Sequence, residues 1–163
     1  MVDVGALLDE LEIPYEVSPQ GGLVVVLPGQ HKLKTTVNLV AGGHSLRIEA
    51  FVMRHPDANH EEVWAWLLRR NARLYGVAFS IDQAGDVYLT GRLPLHAVTT
   101  GELDRVLGSV LAYADESFDP LLELGFADAI RREYAWRVSR GESTANLQAF
   151  KHLTGEDEPH LQE

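Results

Sequence analysis

Histidine and acidic side chains come together at one place in the sequence, and these residue types could hold a metal ion. His55 and His60 flank a loop that contains Asp57, and Glu61 follows the second histidine. This arrangement differs from the His-Glu-x-x-His motif, in which an i, i+4 spacing puts both ligands on one helix face. Pro56 imposes an extended backbone between the two rings. Loop polarity and helix capping explain these residues, so the sequence predicts no metal site.

Three other patterns that could support chemistry fail on spacing. Residues 29–35 contain glycine and lysine, but the second glycine of a phosphate loop is missing and the lysine lies within an alternating strand. Residues 82–86 resemble part of a calcium loop but lack its distal bidentate glutamate. No serine lies in a Gly-x-Ser-x-Gly turn, and the chain has no cysteine. The sequence therefore indicates no catalytic residue and no cofactor, and an enzyme is only a third hypothesis.

One predicted helix carries residues that suit recognition better than catalysis. Asn71 falls near the middle of its apolar arc, where an unpaired amide would cost about 1–3 kcal/mol, so it must bond a backbone group or a ligand. Trp66 points to the opposite side, among arginines that include Arg70 and Arg73. Tryptophan with arginine is typical of a protein-binding hot spot. The alternative is that arginine side chains simply cover a surface indole.

Composition limits the class of protein. At 163 residues, one domain is expected, and we assign it to residues 1–153, with the polar residues 154–163 as a disordered tail. The net charge of −10 repels phosphate backbones, so nucleic acid is a disfavoured partner. The absence of cysteine, and of any long apolar segment, predicts a soluble cytoplasmic protein that does not enter a membrane.

Local signals define the elements that would position these residues. Helical spacing predicts a first helix over 3–12, and alternating patterns predict four strands within 15–53. Asn59 begins the next helix in a capping box and Gly76 ends it. A strand hairpin and three helices follow, the first of which should end at Pro120. The order α-ββββ-α-ββ-α-α-α predicts an α+β fold, with an antiparallel sheet packed by helices.

The fourth predicted strand, residues 45–53, changes character at its end. Alternation puts Phe51 and Met53 on its outward face, which becomes apolar there. An exposed apolar patch of this kind marks an interaction site or a surface that another element covers. We therefore count Phe51 and Met53 with Trp66, Arg70 and Arg73 as candidate protein-binding residues.

The chain also resembles the YbjN family, a bacterial group associated with sensory transduction regulation. The family is similar in fold to type III secretion chaperones, in which helices pack on an antiparallel sheet and the protein is often dimeric. This resemblance implies an interaction or regulatory module and supplies no catalytic residue. Residues 126–153 extend beyond the short secretion chaperones. The resemblance rests on Leu68-Arg69-Arg70-Asn71, on Phe79-Ser80-Ile81-Asp82 and the strand Val87-Tyr88-Leu89, on Arg92-Leu93-Pro94-Leu95, and on the helix that starts at Glu102-Leu103.

Two functions from different classes follow. The first is a non-enzymatic, chaperone-like homodimer that binds a segment of an unidentified protein partner or regulates it. The alternative is a small-ligand sensor with a pocket between helix 60–75 and the sheet, near Asn71.

Overall fold

The computed structural model describes residues 2–155, which form one six-stranded antiparallel sheet with helices packed on it. The elements are α1 (Val4–Glu10), β1 (Glu16–Val17), β2 (Leu23–Pro28), β3 (Lys34–Ala41), β4 (Ser45–Met53), α2 (His60–Asn71), β5 (Ala78–Ile81), β6 (Val87–Pro94), α3 (Thr100–Ser139) and α4 (Lys151–Thr154), with 3-10 turns at Leu95–Ala97 and Ala145–Phe150. Across the sheet the strands lie in the order β1-β2-β3-β4-β6-β5. The predicted α+β class is confirmed.

Alternation in the strands decides which face of the sheet the helices cover. Every second side chain of β4 is buried, whereas Arg47 and Glu49 lie on the other face and form an ion pair. The buried side chains pack in one core with Leu8 of α1, Val63 of α2 and Leu103 of α3. The inward residues of β4 are those that the pattern predicts: Leu46, Ile48, Ala50 and Val52.

The long helix α3 corrects the predicted helix end at Pro120. The helix continues through Pro120, because the carbonyl that loses its N–H partner belongs to the exposed residue Glu116. Burial of Ser117 and Leu121 on either side holds this turn on the core. The helical geometry breaks instead at Phe126, with φ −137° and ψ 24°.

The break in α3 holds the loop between β4 and α2. The Gly125 carbonyl accepts hydrogen bonds from the N–H groups of Asp57 and Ala58, at 3.0 and 3.2 Å. Asn59 donates its side-chain amide to the Leu124 carbonyl, at 2.8 Å, and makes no side-chain cap on α2. The predicted capping box at Asn59 is therefore wrong, because α3 competes for the same side chain.

At the C-terminal end, α4 runs to Thr154, whose hydroxyl donates to the Lys151 carbonyl. The remainder of the predicted tail, residues 156–163, lies outside the described residues. Within residues 2–155, no helix combines the length and the hydropathy that a membrane span needs.

Candidate partner-binding surface

Helix α2 is rotated relative to the prediction. Its buried side is centred on Val63 and Leu67, whereas Leu68, which the apolar pattern placed inside, is 70% exposed. Trp66 is half-buried, and its ring meets the Phe79 ring edge-on with a centroid separation of 6.1 Å. The prediction that Trp66 points away from the core is wrong. The pattern misled because it counted residues beyond 71, where the helix has already ended.

Three arginines lie around the exposed side of Trp66. The Arg70 guanidinium lies 5.7 Å from the centroid of the Trp66 ring and also reaches Glu116 of α3, at 3.4 Å. Arg69 and Arg73 are exposed and have no ion-pair partner among the described residues. These four residues, Trp66, Arg69, Arg70 and Arg73, line a hollow of about 230 Å³ and are called the arginine surface below. It combines an aromatic anchor with free positive charge.

A broader hollow of about 880 Å³ continues from the arginine surface along α2. Trp66 and Arg69 line both hollows, and the second extends to His60 and to Leu124 of α3. Glu61 and Glu62 lie in its wall, at the acidic first turn of α2. The exposed side of this helix is therefore acidic at one end and basic at the other.

Both polar atoms of the Asn71 side-chain amide form hydrogen bonds within the chain. Its nitrogen donates to the Phe79 carbonyl at 3.1 Å, and its oxygen accepts from the Phe79 N–H at 2.6 Å. Phe79 lies in β5, which is an edge strand, so the amide occupies the position that a further strand would take. This is the backbone contact that the structural interpretation of Asn71 requires.

The end of β4 is irregular and corrects the prediction for Met53. Phe51 pairs with Tyr88, but Met53 pairs with Val87, so the register shifts between them. Met53 is consequently 3% exposed, whereas Phe51 stays 39% exposed. The two residues do not share the outward face, although both line the same groove.

That groove has a volume of about 510 Å³ and is formed mainly by α3 and the end of β4. We call it the α3 groove. The sequence indicated the wall formed by β4 but not the wall formed by α3. That wall depends on the kink at Phe126, and no proline or pair of glycines at this position signals a kink. The apolar wall of the groove consists of Phe51, Val52, Met53, Phe118, Leu122, Phe126, Ala129, Ile130 and Leu147.

Charged groups lie at the rim of the α3 groove. The Lys32 ammonium lies 5.2 Å from the Phe118 ring centroid and 6.0 Å from that of Phe51, and burial lowers the pKa of Lys32. Arg54 covers the Phe126 ring at 4.3 Å. Its hydrogen bond to Asp57, at 2.8 Å, lowers the pKa of that carboxyl.

The histidines considered for a metal site do approach each other. The Nε2 atoms of His55 and His60 are 3.1 Å apart, while His55 Nδ1 is 2.9 Å from the Ala84 carbonyl. His60 Nε2 also lies 2.6 Å from the Pro56 carbonyl. Nowhere in residues 2–155 do three or more histidine or acidic side chains cluster as metal ligands. The described contacts explain this pair as a link between the β5–β6 hairpin and the loop before α2.

The fold is that of the type III secretion chaperones. The chain is similar to the heterodimeric ExoU–SpcU complex from Pseudomonas aeruginosa, with a TM-score of 0.55, 17% identity, and coverage of 76% of this chain and 98% of that one. The ExsC–ExsE complex gives a TM-score of 0.52 at 19% identity, covering 72% and 92%. YbjN from E. coli gives 0.51 at 15% identity, covering 71% and 85%.

Sequence comparison narrows this class to one family. The YbjN family, described as "Putative bacterial sensory transduction regulator", matches residues 3–123, and the chain belongs to this family. The uncharacterized protein Rv0487 of Mycobacterium tuberculosis is 53% identical over 151 residues, which are 90% of this chain and 82% of that protein. The uncharacterized protein ML2442 of Mycobacterium leprae is 53% identical over 135 residues, or 83% and 73%.

The family match and the candidate surfaces do not coincide fully. The arginine surface lies within residues 3–123, whereas much of the α3 groove, from Phe126 to Leu147, lies after the match ends.

The five predicted protein-binding residues are divided between these two sites. Phe51 and Met53 line the α3 groove, and Trp66, Arg70 and Arg73 line the arginine surface.

Proposed function

We propose that this protein is a non-enzymatic, chaperone-like module that binds a segment of a partner protein through the arginine surface. The observation that carries this proposal is Trp66, a half-buried aromatic side chain that meets the Phe79 ring edge-on and lies among arginines on its exposed side. Two of these arginines, Arg69 and Arg73, have no ion-pair partner among the described residues. Positive charge beside a fixed aromatic anchor fits a partner segment with acidic and large apolar side chains.

The fold supports the same proposal. ExoU–SpcU and ExsC–ExsE are complexes between two proteins, and the chain shares its architecture with them. The phosphate-repelling charge of −10 disfavours nucleic acid as the partner. A cytoplasmic location, expected from the sequence without cysteine, is part of the proposal and is checked by cell fractionation.

The test compares proteins captured from a native lysate by immobilised wild type, Trp66→Ala and Trp136→Ala. Trp136 is a matched control, because it is 50% exposed and carries Arg140 at 4.8 Å from its ring, but lies near the end of α3. We expect one protein to bind wild type and Trp136→Ala and to be lost from Trp66→Ala. Binding is then repeated with that purified protein. Equal capture by all three proteins would refute the assignment of this surface.

A second variant separates loss of binding from loss of folding. Arg69 and Arg73 are exposed, so Arg69→Glu with Arg73→Glu changes the charge of the surface without removing core packing. We expect this double variant to unfold within about 0.5 kcal/mol of wild type, as surface changes usually do, and to lose the partner. Retained binding would show that the arginine surface is not the contact.

We also propose that the protein is a homodimer. Light scattering at micromolar concentration should give twice the 18.1 kDa mass of the chain. The Arg69→Glu and Arg73→Glu double variant should weaken the dimer if α2 forms the contact. A monomer at these concentrations would remove the dimer from the proposal and leave the partner-binding surface to be judged by the capture experiment.

The second candidate function, a small-ligand sensor, has one observation in its favour. A hollow of about 280 Å³ lies between α2 and β5, close to the predicted position. Its wall is apolar and includes Trp64, Leu67 and Ile81, but Asn71 is not part of it. A small molecule that raises the melting temperature of wild type but not of Leu68→Trp, which enlarges an exposed side chain in the wall of the hollow, would support this function.

A further inference from the structure

The α3 groove presents an apolar wall that the partner-binding proposal does not use. Nine apolar residues from β4, α3 and the following 3-10 turn line it. Its volume of about 510 Å³ is within the range of about 300–1,000 Å³ that is usual for small-molecule sites. The groove and the arginine surface have no lining residue in common.

One charge in the groove has no opposite charge beside it. Of the groove's charged residues, Arg54 pairs with Asp57 at 2.8 Å, and Glu133 pairs with Arg137 at 2.6 Å. The Lys32 ammonium has no carboxylate within ion-pair distance among the described residues. It donates one hydrogen bond, to the Lys34 carbonyl at 2.8 Å.

The surroundings of this ammonium favour an anion. Lys32 lies beside two phenyl rings and is partly buried, and this desolvation lowers its pKa. An ammonium that has lost water gains more from a charged partner than an exposed one does. An ammonium also has three N–H donors, and the bond to Lys34 uses one of them, so two can bind a carboxylate.

We propose that the α3 groove binds a linear aliphatic carboxylate, with its hydrocarbon chain along the apolar wall and its carboxylate on Lys32. The charge arrangement argues for this ligand over a neutral or cationic one. The acidic lining residue Glu133 is paired with Arg137, and Asp57 is paired with the lining residue Arg54, so the net charge of −10 does not produce an acidic rim here. A hydrocarbon chain suits the groove because most of the lining is aliphatic or phenyl.

This inference is independent of the partner-binding proposal. The ligand would contact β4, α3 and residues 32 and 147, whereas the proposed partner contacts α2. Loss of the partner in Trp66→Ala therefore leaves the carboxylate prediction unaffected. Failure of carboxylate binding likewise leaves the arginine surface in place.

The probe for the test is dodecanoate, with dodecanol as the uncharged comparison, both below their aggregation limits. The chain contains two methionines, Met1 and Met53, and Met53 lines the groove. In protein labelled with ¹³C at the methionine methyl groups, dodecanoate should shift the Met53 signal in a saturable way and leave the Met1 signal in place. Shifts at neither methionine, or at Met1 alone, would overturn the proposal.

The charge is tested with a matched pair of variants. Lys32→Gln removes the ammonium from the groove, and Lys34→Gln removes the same charge from an exposed side chain outside it. Lys32→Gln should weaken dodecanoate binding about tenfold, the equivalent of one charge-assisted hydrogen bond, and leave dodecanol binding unchanged. Lys34→Gln should bind both like wild type. Equal effects of the two variants, or wild-type affinity for dodecanol as high as for dodecanoate, would overturn the assignment.

The hydrocarbon part is tested with a chain-length series from octanoate to dodecanoate. Each buried methylene should strengthen binding about fourfold, because its transfer from water is favourable. An affinity that does not depend on chain length would show that only the head group binds. Binding of an amphipathic peptide at Met53, with no dodecanoate binding, would assign the groove to a protein and would also overturn the proposal.

Discussion

A single carboxylate holds the β2–β3 loop against α3, and its removal gives the sharpest prediction about stability. Asp115 Oδ1 accepts three backbone hydrogen bonds, from Gln30 at 2.9 Å, His31 at 2.8 Å and Lys32 at 3.0 Å. Residues 29–33 therefore wrap around one oxygen atom. This arrangement also fixes the backbone of Lys32, whose side chain lies at the α3 groove.

The expected cost of Asp115→Ala follows from these bonds. A hydrogen bond to a charged group contributes about 1.5–3 kcal/mol when it is shielded from water. Two of the three bonds are exposed, so solvent can replace them after the substitution. We therefore expect a loss of about 2 kcal/mol in the free energy of unfolding, well below the sum of three shielded bonds. Asp115→Asn, which keeps an acceptor oxygen without the charge, should lose about 1 kcal/mol.

The pH dependence gives a second measurement of the same contact. Partial desolvation alone would raise the pKa of Asp115, but the N–H groups of Lys32, His31 and Gln30 outweigh it, so the pKa is lowered. A lowered folded-state pKa stabilises the protein above the unfolded-state value of about 3.9. The difference between wild type and Asp115→Asn should therefore be constant near neutral pH and should shrink as the pH falls below about 4.

Urea unfolding followed by circular dichroism measures both effects, and Asp119→Ala is the control. Asp119 lies on the same helix and contacts the same loop, but through one exposed bond to His31 at 2.9 Å. Such an exposed pair contributes less than about 1 kcal/mol. An Asp115→Ala cost no larger than that of Asp119→Ala, or an Asp115→Asn difference that stays the same between pH 7 and pH 3, would contradict this role of Asp115.

Three further substitutions test other contacts by urea unfolding. Asn71→Ala should cost about 1–3 kcal/mol, because it leaves both backbone groups of Phe79 without their partner; a cost below 0.5 kcal/mol would contradict this. Gly125→Ala should cost about 1–3 kcal/mol, since the new Cβ would lie 2.7 Å from the Pro56 Cβ, and wild-type stability would show that the loop can move away. Leu68→Ser should change the free energy of unfolding by less than about 0.5 kcal/mol, because Leu68 is 70% exposed. A loss above about 2 kcal/mol would show that Leu68 is part of the core.

The strands along the chain and their inward residues were predictable because they depend on local alternation, as β4 shows from Leu46 to Val52. The errors occur where a distant element competes with a local signal. Asn59 has the residue type of a helix cap, but the bent part of α3 offers its amide the Leu124 carbonyl instead. By strict alternation the Met53 side chain would point outward, but the bulge in β4 turns it inward.

The candidate sites divide in the same way. The arginine surface was found because its residues lie close together in the sequence, from Trp66 in α2 to Arg73 just after the helix ends. The α3 groove was only half visible, as the apolar end of β4. Its other wall depends on where α3 bends, and the Gly125 carbonyl that accompanies this bend is bonded by a loop more than sixty residues earlier in the chain. The spacing of apolar residues along the sequence does not predict a contact between such distant segments.

The sheet edges bear on the form of the proposed homodimer. At one edge Asn71 occupies the outward backbone groups of Phe79, and at the other β1 has only two residues, Glu16 and Val17. Neither edge offers a long free strand for a second copy. The exposed side of α2 is better suited, because its first turn is acidic and its last turn is basic. Two copies of α2 related by a twofold axis perpendicular to the helices run antiparallel, and each acidic turn then faces the partner's arginines. A dimer formed in this way would compete with a partner for the arginine surface, so partner binding would be coupled to dissociation of the dimer.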